Sequence, residues 1–327
     1  MRTLRPSLVT GLLLLSTAAT GCLSDEFDLS DLRDTAPKSR ELAVDVPAAN
    51  KAADKDTSDI GSVSEFYRIT RNTSDYLNGA TAFWVGLIRT IMAYPPSEVD
   101  GDVVTWGPWK DQSALRPLEY QLVAERVGER SITYTLSARN KNGEGDFLPL
   151  IEGTARRPGA GQPGSGTLKL LFDNQSVLEP AKREQGTIDI AYDLEGEPKT
   201  NHMEFIDFVN EQGEGPLDAE YDYALSADGA GRFDFLTAAD VDRDAASLPE
   251  SLHIVSRWNS TGAGQSDVAA WGGSLDGATW AAAQCWDTAF LTTYNRYRSE
   301  GGSVPVDLDE GDAATCPFEP ETVTPVL

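Results

Sequence analysis

The sequence predicts a mainly β protein with flanking helices, an α+β arrangement around an antiparallel up-and-down meander of about ten strands. Three observations carry that reading. First, apolar and polar residues alternate strictly in several stretches. Ile132, Tyr134, Leu136 and Ala138 alternate with Ser131, Thr133, Thr135 and Ser137; Ile188, Ile190, Tyr192 and Leu194 with Thr187, Asp189, Ala191 and Asp193; Ala219, Tyr221, Tyr223 and Leu225 with Asp218, Glu220 and Asp222. A period of two with one apolar face marks half-buried antiparallel strands. Second, turn residues fall at hairpin spacing: Asn142-Gly143, Gly196 with Pro198, Asp228-Gly229, and Gly262 with Gly264. Third, an apolar stretch of helix length precedes the meander.

Residues 104–109 read as a short strand and turn that bury Trp106 and Trp109. The meander follows at 118–127, 131–139, 147–155, 167–173, 187–194, 200–209, 218–226, 232–237, 252–258 and 266–271. Within 203–209 both faces turn apolar, which predicts a bulge or a strand covered on both sides. Many short strands with hairpin links form a curled sheet whose edges must be closed or covered. The expectation is a barrel or half-barrel, with a two-sheet sandwich as the alternative.

Ahead of the sheet, residues 64–94 carry helical periodicity, with Asn78-Gly79 as a natural break and Pro95-Pro96 as the stop. Phe83, Trp84, Val85, Leu87, Ile88, Ile91 and Met92 cover most of one helix surface, so the 80–94 segment belongs against the concave face of the sheet. It is either a core helix or the lid of a ligand cavity. The cavity walls would be Trp84, Ile88, Tyr134, Leu136, Ile190, Tyr221 and Phe233. At the other end, Trp286, Phe290, Tyr294 and Tyr297 recur at near-helical spacing and predict a C-terminal helix.

The N-terminus carries an address. Arg2 and Arg5 precede an apolar run, Leu8–Ala19, that is too short for a transmembrane helix of ~20 residues. Ala19-Thr20-Gly21-Cys22 resembles the lipobox of bacterial lipoproteins. The resemblance implies cleavage before Cys22, a lipid on Cys22, and a membrane as partner. Leu23 stands where an aspartate would imply inner-membrane retention, so the outer membrane is expected, on its periplasmic or surface face. The domain plan is then a signal peptide at 1–21, a lipidated cysteine and flexible acidic tether at 22–62, and one globular β-rich domain at 63–327. Within that domain, 63–95 is helical, 104–271 is the meander, and 278–327 is a disulfide-fastened C-terminal segment. The chain has three cysteines. With Cys22 used for lipid, Cys285 and Cys316 remain in an oxidising compartment and are expected to pair, for roughly 3 kcal/mol of loop closure.

The formal net charge of −25 over 327 residues argues against nucleic acid or anionic headgroups as partners. Catalytic patterns are missing. His202 and His253 are the two histidines, and both fall in strands. Gly272-Gly273-Ser274-Leu275-Asp276 fails the nucleophile-elbow pattern at its last position, and there is no His-Glu-x-x-His, phosphate loop or dinucleotide fingerprint. The best inorganic candidate is a calcium (Ca2+) loop at Asp240, Asp242 and Asp244 with Glu250. Its frame is wrong: Ala245 stands where glycine is needed, and Glu250 is one place early. No catalytic residue, metal or cofactor is assigned.

As a whole the chain resembles the uncharacterised lipoproteins that myxobacteria encode. Three features carry this: the lipobox at Cys22, the turn Trp106-Gly107-Pro108-Trp109, and Cys285-Trp286-Asp287. The resemblance implies placement in the envelope and no particular chemistry. Three functions are in play. The preferred one is a non-catalytic binding or structural module that meets an envelope protein or glycan. A carrier or sensor of a hydrophobic ligand (lipid) in a barrel cavity is the alternative, and a hydrolase using scattered carboxylates is third.

Overall fold

The computed structural model describes residues 29–48, 60–110, 118–141, 145–211, 213, 215–239, 250–275, 277–301 and 306–325. The leader, Cys22, and Asp240, Asp242 and Asp244 lie outside the described residues.

Among the described residues fifteen strands form one sheet in strict sequence order, each antiparallel to the next. They are β1 (Glu98–Asp100), β2 (Val103–Lys110), β3 (Leu118–Gly128), β4 (Ser131–Asn140), β5 (Leu148–Arg156), β6 (Ser165–Leu171), β7 (Gln185–Asp193) and β8 (Lys199–Val209). The series continues with β9 (Leu217–Leu225), β10 (Gly231–Ala239), β11 (Glu250–Trp258), β12 (Gly264–Trp271), β13 (Thr279–Trp286), β14 (Thr292–Glu300) and β15 (Asp307–Gly311). Three α-helices accompany them among the described residues: α1 (Leu29–Thr35), α2 (Glu65–Ala93) and α3 (Phe172–Leu178). Among the described residues none is long and apolar enough to cross a membrane.

The expected barrel does not close: among the described residues β15 does not pair with β1. Both edges are short and exposed, and both are acidic, with Glu98 and Asp100 on one and Asp307, Asp309 and Glu310 on the other. Like charges on the two free edges oppose their pairing and also deter other chains from adding on. Nor is this a two-sheet sandwich.

The predicted bulge is present. Register shifts between Phe205 and Phe208, with Asp207 at φ 49°. The extra residue re-aims Phe208, which meets Phe205 and Phe172 edge to face (ring centroids 5.3 and 5.4 Å).

Helix α2 is continuous through Asn78-Gly79. At 1.5 Å per residue its 29 residues run about 43 Å, from β13 at one end to β2 at the other. Ser64 caps the start: its hydroxyl accepts from Tyr67 N (3.2 Å) and donates to Gln284 on β13. At the far end Trp106 Nε1 donates to Tyr94 O (2.9 Å). The buried positions, Tyr67, Thr70, Ser74, Leu77, Thr81, Val85, Ile88 and Met92, recur every three or four residues and form one stripe. Thr70 and Ser74 are short, so the helix sits low on the sheet, and Thr70 Oγ1 lies 2.6 Å from Ser256 Oγ on β11.

The expected tether is folded in its middle part. Leu32 of α1 and the extended run Leu42, Val44 and Val46 are buried in the main core. Buried Arg157 pairs with Glu41 (2.6 Å), Asn201 Nδ2 donates to Leu42 O (2.8 Å), and Arg89 donates to Ala36 O (3.1 Å). The folded domain therefore includes Leu29, well before residue 63. Its signature was a three-residue alternation, 42-44-46, hidden in a charged background.

The expected C-terminal helix is instead the β13–β14 hairpin. Asp287 Oδ1 accepts from Ala289 N (2.8 Å) and Leu291 N (2.9 Å), closing a tight turn that places Phe290 at φ 63°. Trp286 and Phe290 then pack on Tyr67 of α2 (5.8 and 4.5 Å), while Tyr294 and Tyr297 lie on β14. Aromatic spacing imitates a helix because the turn, residues 287–291, sets Phe290 four residues after Trp286.

Candidate binding cleft

The seven residues expected to line a cavity separate into two groups. Ile88, Tyr134, Ile190, Tyr221 and Phe233 belong to a filled core. Tyr221 lies 6.3 Å from both Phe233 and Phe235, ring to ring, and desolvation pushes its phenol up to about 12. Tyr134 OH donates to Thr167 O (3.3 Å), and burial raises its pKa far above the phenol range. Burial thus favours the neutral phenol at both positions.

Leu136 also belongs to that core and Trp84 packs against it, yet both have a second environment. They line an open cleft of about 560 Å³ where the second half of α2 parts from β3–β6. The sheet side is Trp109, Tyr120, Leu136, Leu150 and Leu170; the helix side is Phe83, Trp84, Leu87 and Ile91; α3 closes one end with Phe172. Phe83 is 62% exposed and meets Trp84 edge to face at 4.8 Å, and Trp84 in turn meets Phe172 (6.1 Å). The strand pairing explains the opening. Chain leaves the sheet after Leu171 to form α3, whose Leu178 packs with Leu118 and Ala138 as a small separate core. The two cores leave the cleft between them.

The cleft rim is polar: Gln175, Glu179, Lys182, Glu184 and Glu211. Lys182 Nζ is 4.0 Å from Glu184 Oε1, whereas Glu184 Oε2 is enclosed and has no hydrogen-bond partner in the structure. Such an orphaned oxygen costs about 1–3 kcal/mol, more when ionised, unless something donates to it. The cleft can hold an apolar body.

The other candidates are accounted for. Glu250 is fully buried on β11 and its Oε1 accepts from Ser274 N (3.0 Å), so it supports the turn after β12. His253 bridges Asp234 Oδ1 (Nε2, 2.7 Å) and Thr324 O (Nδ1, 3.0 Å), a role no sequence motif signals. On the convex face, register brings His202 Nδ1 to 2.8 Å from Asp222 Oδ1, with Glu220 beside them, so these three offer ligand atoms within 4.8 Å of one another. They are half or fully exposed, as cross-strand charges commonly are on an acidic sheet.

Cys285 and Cys316 form the expected disulfide, with a Cα–Cα distance of 5.3 Å. It starts a strap in which residues 317–325 cross the convex face of β10–β13. Arg257 donates to Glu319 O (2.8 Å), Arg232 grips both oxygens of Glu321 (2.6 and 2.8 Å), and Asp267 accepts from Glu321 N. Desolvation under the strap raises the Asp267 carboxyl, although Gln265 and Arg257 counter it. The strap and α2 together explain why β12 is buried on both faces.

Comparison with family models, with curated proteins and with solved structures found no match.

Proposed function

We propose that this chain is an exported, lipid-anchored module of the cell envelope that binds an apolar ligand without catalysing its conversion. One observation carries the reading: the 560 Å³ cleft walled by Trp84, Leu87, Trp109, Leu136, Leu150 and Phe172. Small-ligand sites span about 300–1,000 Å³ and are apolar with a few placed polar groups, as here. A helix and a sheet that already touch through a filled core have no packing reason to leave so much aromatic surface open beside it. The leader and Cys22 support anchoring at the outer membrane, and the Cys285–Cys316 bridge suits an oxidising compartment. On this reading the ligand site is the cleft between α2 and the sheet instead of a barrel lumen.

A second reading, docking of an envelope protein or glycan, draws on the convex face of β7–β9, which the strap leaves uncovered. Native mass spectrometry of the exported chain carrying Cys22→Ala separates the two. A discrete extra mass, released by organic solvent, is expected. A clean mass that stays unchanged after incubation with envelope lipids would remove the ligand reading and leave the docking one.

A further inference from the structure

A second cavity, of about 590 Å³, lies between the 38–45 segment and the sheet, where β7 and β9 end and β8 begins. It shares no wall with the α2 cleft. We propose that this cavity binds a small organic acid, an apolar body bearing one carboxylate, through Arg40 and Lys199. The proposal is independent of what the α2 cleft holds.

The argument starts from Lys199. The two-residue period puts it on the same face of β8 as Asn201, Met203 and Phe205, all three buried, and directly opposite Leu225 of β9. A lysine that heads the inward row of a strand, at the wall of an open cavity, is out of place unless something meets it there. On the other face of the sheet Lys169 has its counter-ion, Asp189 (3.1 Å). Lys199 has none, and neither does Arg40, which stands in the turn after α1: among the described residues their side chains have no hydrogen-bond or ion-pair partner. Both are exposed and line the cavity, so a ligand can reach them. The cations nearby are already committed, Lys38 to Asp34 (3.3 Å) and Glu41 (3.7 Å), and Arg157 to Glu41 (2.6 Å). Along the walls Lys38, Arg40 and Lys199 stand against Glu41 and Asp45, a local excess of one positive charge. That reverses the sign of a chain whose acids outnumber its bases 52 to 27. The overall charge still repels extended anionic surfaces, but salt screens it beyond about 8–10 Å, so inside the cavity the near cations decide. One carboxylate closes the balance, and the arginine fork can take both its oxygens. The rest of the wall, Leu42, Pro163, Leu194, Tyr223 and Leu225, suits an apolar body, and the volume is that of a small-ligand site.

The test is calorimetric titration of the chain carrying Cys22→Ala with octanoate, octanol and octylamine, each below its micellar concentration. Octanoate is expected to bind about tenfold more tightly than octanol, the effect of one charge-assisted hydrogen bond, with octylamine the weakest. Arg40→Gln combined with Lys199→Gln is expected to abolish the preference for octanoate, with the fold retained by circular dichroism because both residues are exposed. Asp45→Asn, which removes the opposing charge from the wall, is expected to strengthen octanoate binding. Equal affinity for octanoate and octanol in the unsubstituted protein, or no binding of octanoate, would overturn the proposal. A preference that survives in the Arg40 and Lys199 double variant would overturn its placement in this cavity. Octanol held in the α2 cleft needs neither cation, so the two readings fail separately.

Discussion

Asn78, in the middle of α2, holds Val44 with both ends of its amide: Val44 N donates to Oδ1 (2.7 Å) and Nδ2 donates to Val44 O (2.9 Å). The side chain stands in for a neighbouring β-strand, giving the extended 42–46 run the pairing its backbone needs. Arg71 adds a bond to Val46 O, and Tyr67 OH donates to Pro47 O (2.7 Å). An Asn-Gly pair that would ordinarily break a helix is here the device that joins the N-terminal segment to it. Asn78→Leu leaves two backbone groups unpaired, at about 1–3 kcal/mol each. Urea melts should show that loss, and proteolysis should cleave the 36–48 segment first.

Aromatic rings lie over strand glycines directly opposite them. Tyr134 faces Gly153, and Trp258 faces Gly231. A Cβ at Gly153 would fall 2.3 Å from the Tyr134 ring, and one at Gly231 would fall 2.4 Å from Trp258. Gly153→Ala should cost about 1–3 kcal/mol by overpacking. In a double-mutant cycle Tyr134→Leu should recover part of that loss, because it removes the clashing ring.

The sequence was legible where the two-residue period was clean. Every strand from β3 to β12 begins and ends within three residues of its predicted bounds, since one wet and one buried face leave little freedom of register. The rest failed for local reasons. Residues 42–46 are too few to show a period, and the Asp287 turn mimicked helical spacing. Residues 172–173, read as the end of a strand, open α3. The cleft was the hardest to foresee. Of its walls only Trp84 and Leu136 were anticipated, because it depends on where α3 leaves the sheet, and Glu184 stands in no motif.

The strap should respond to pH through His253. Both its partners, the Asp234 carboxylate and Thr324 O, are acceptors, so both bonds require the doubly protonated ring. The Asp234 bond raises its pKa and the Thr324 carbonyl adds to this, against partial burial and the nearby Arg232 charge. A raised folded value means the stabilisation is complete below the unfolded value of about 6.5 and is lost as pH rises through the folded one. Asp234 acts in a separate, acidic window. Burial opposes its charge, but His253 and Arg232 outweigh that and lower its pKa, so its contribution fades as pH falls through that lowered value. Urea midpoints should therefore decline as pH rises above about 6.5, and His253→Gln should flatten that slope.

Loss of the disulfide should loosen the same strap. Cys285 and Cys316 are 31 residues apart, and closing such a loop is worth roughly 3–4 kcal/mol on the chain-entropy model. Reduction, or Cys285→Ser with Cys316→Ser, should lower stability by that order and speed hydrogen exchange in β13. The cleft is built from other strands, so ligand affinity should hold.

Whether the cleft binds apolar molecules is the central question, and the most direct measurement is titration with the neutral probe N-phenyl-1-naphthylamine. It would follow probe fluorescence and energy transfer from Trp84 and Trp109, for the unsubstituted chain and for Leu87→Arg. Leu87 is partly exposed on α2, and arginine keeps helix propensity there, so the fold should persist by circular dichroism. Saturable binding at one site that weakens at least about tenfold with Leu87→Arg is the predicted result. Equal binding by both folded proteins, or none by either, would contradict it.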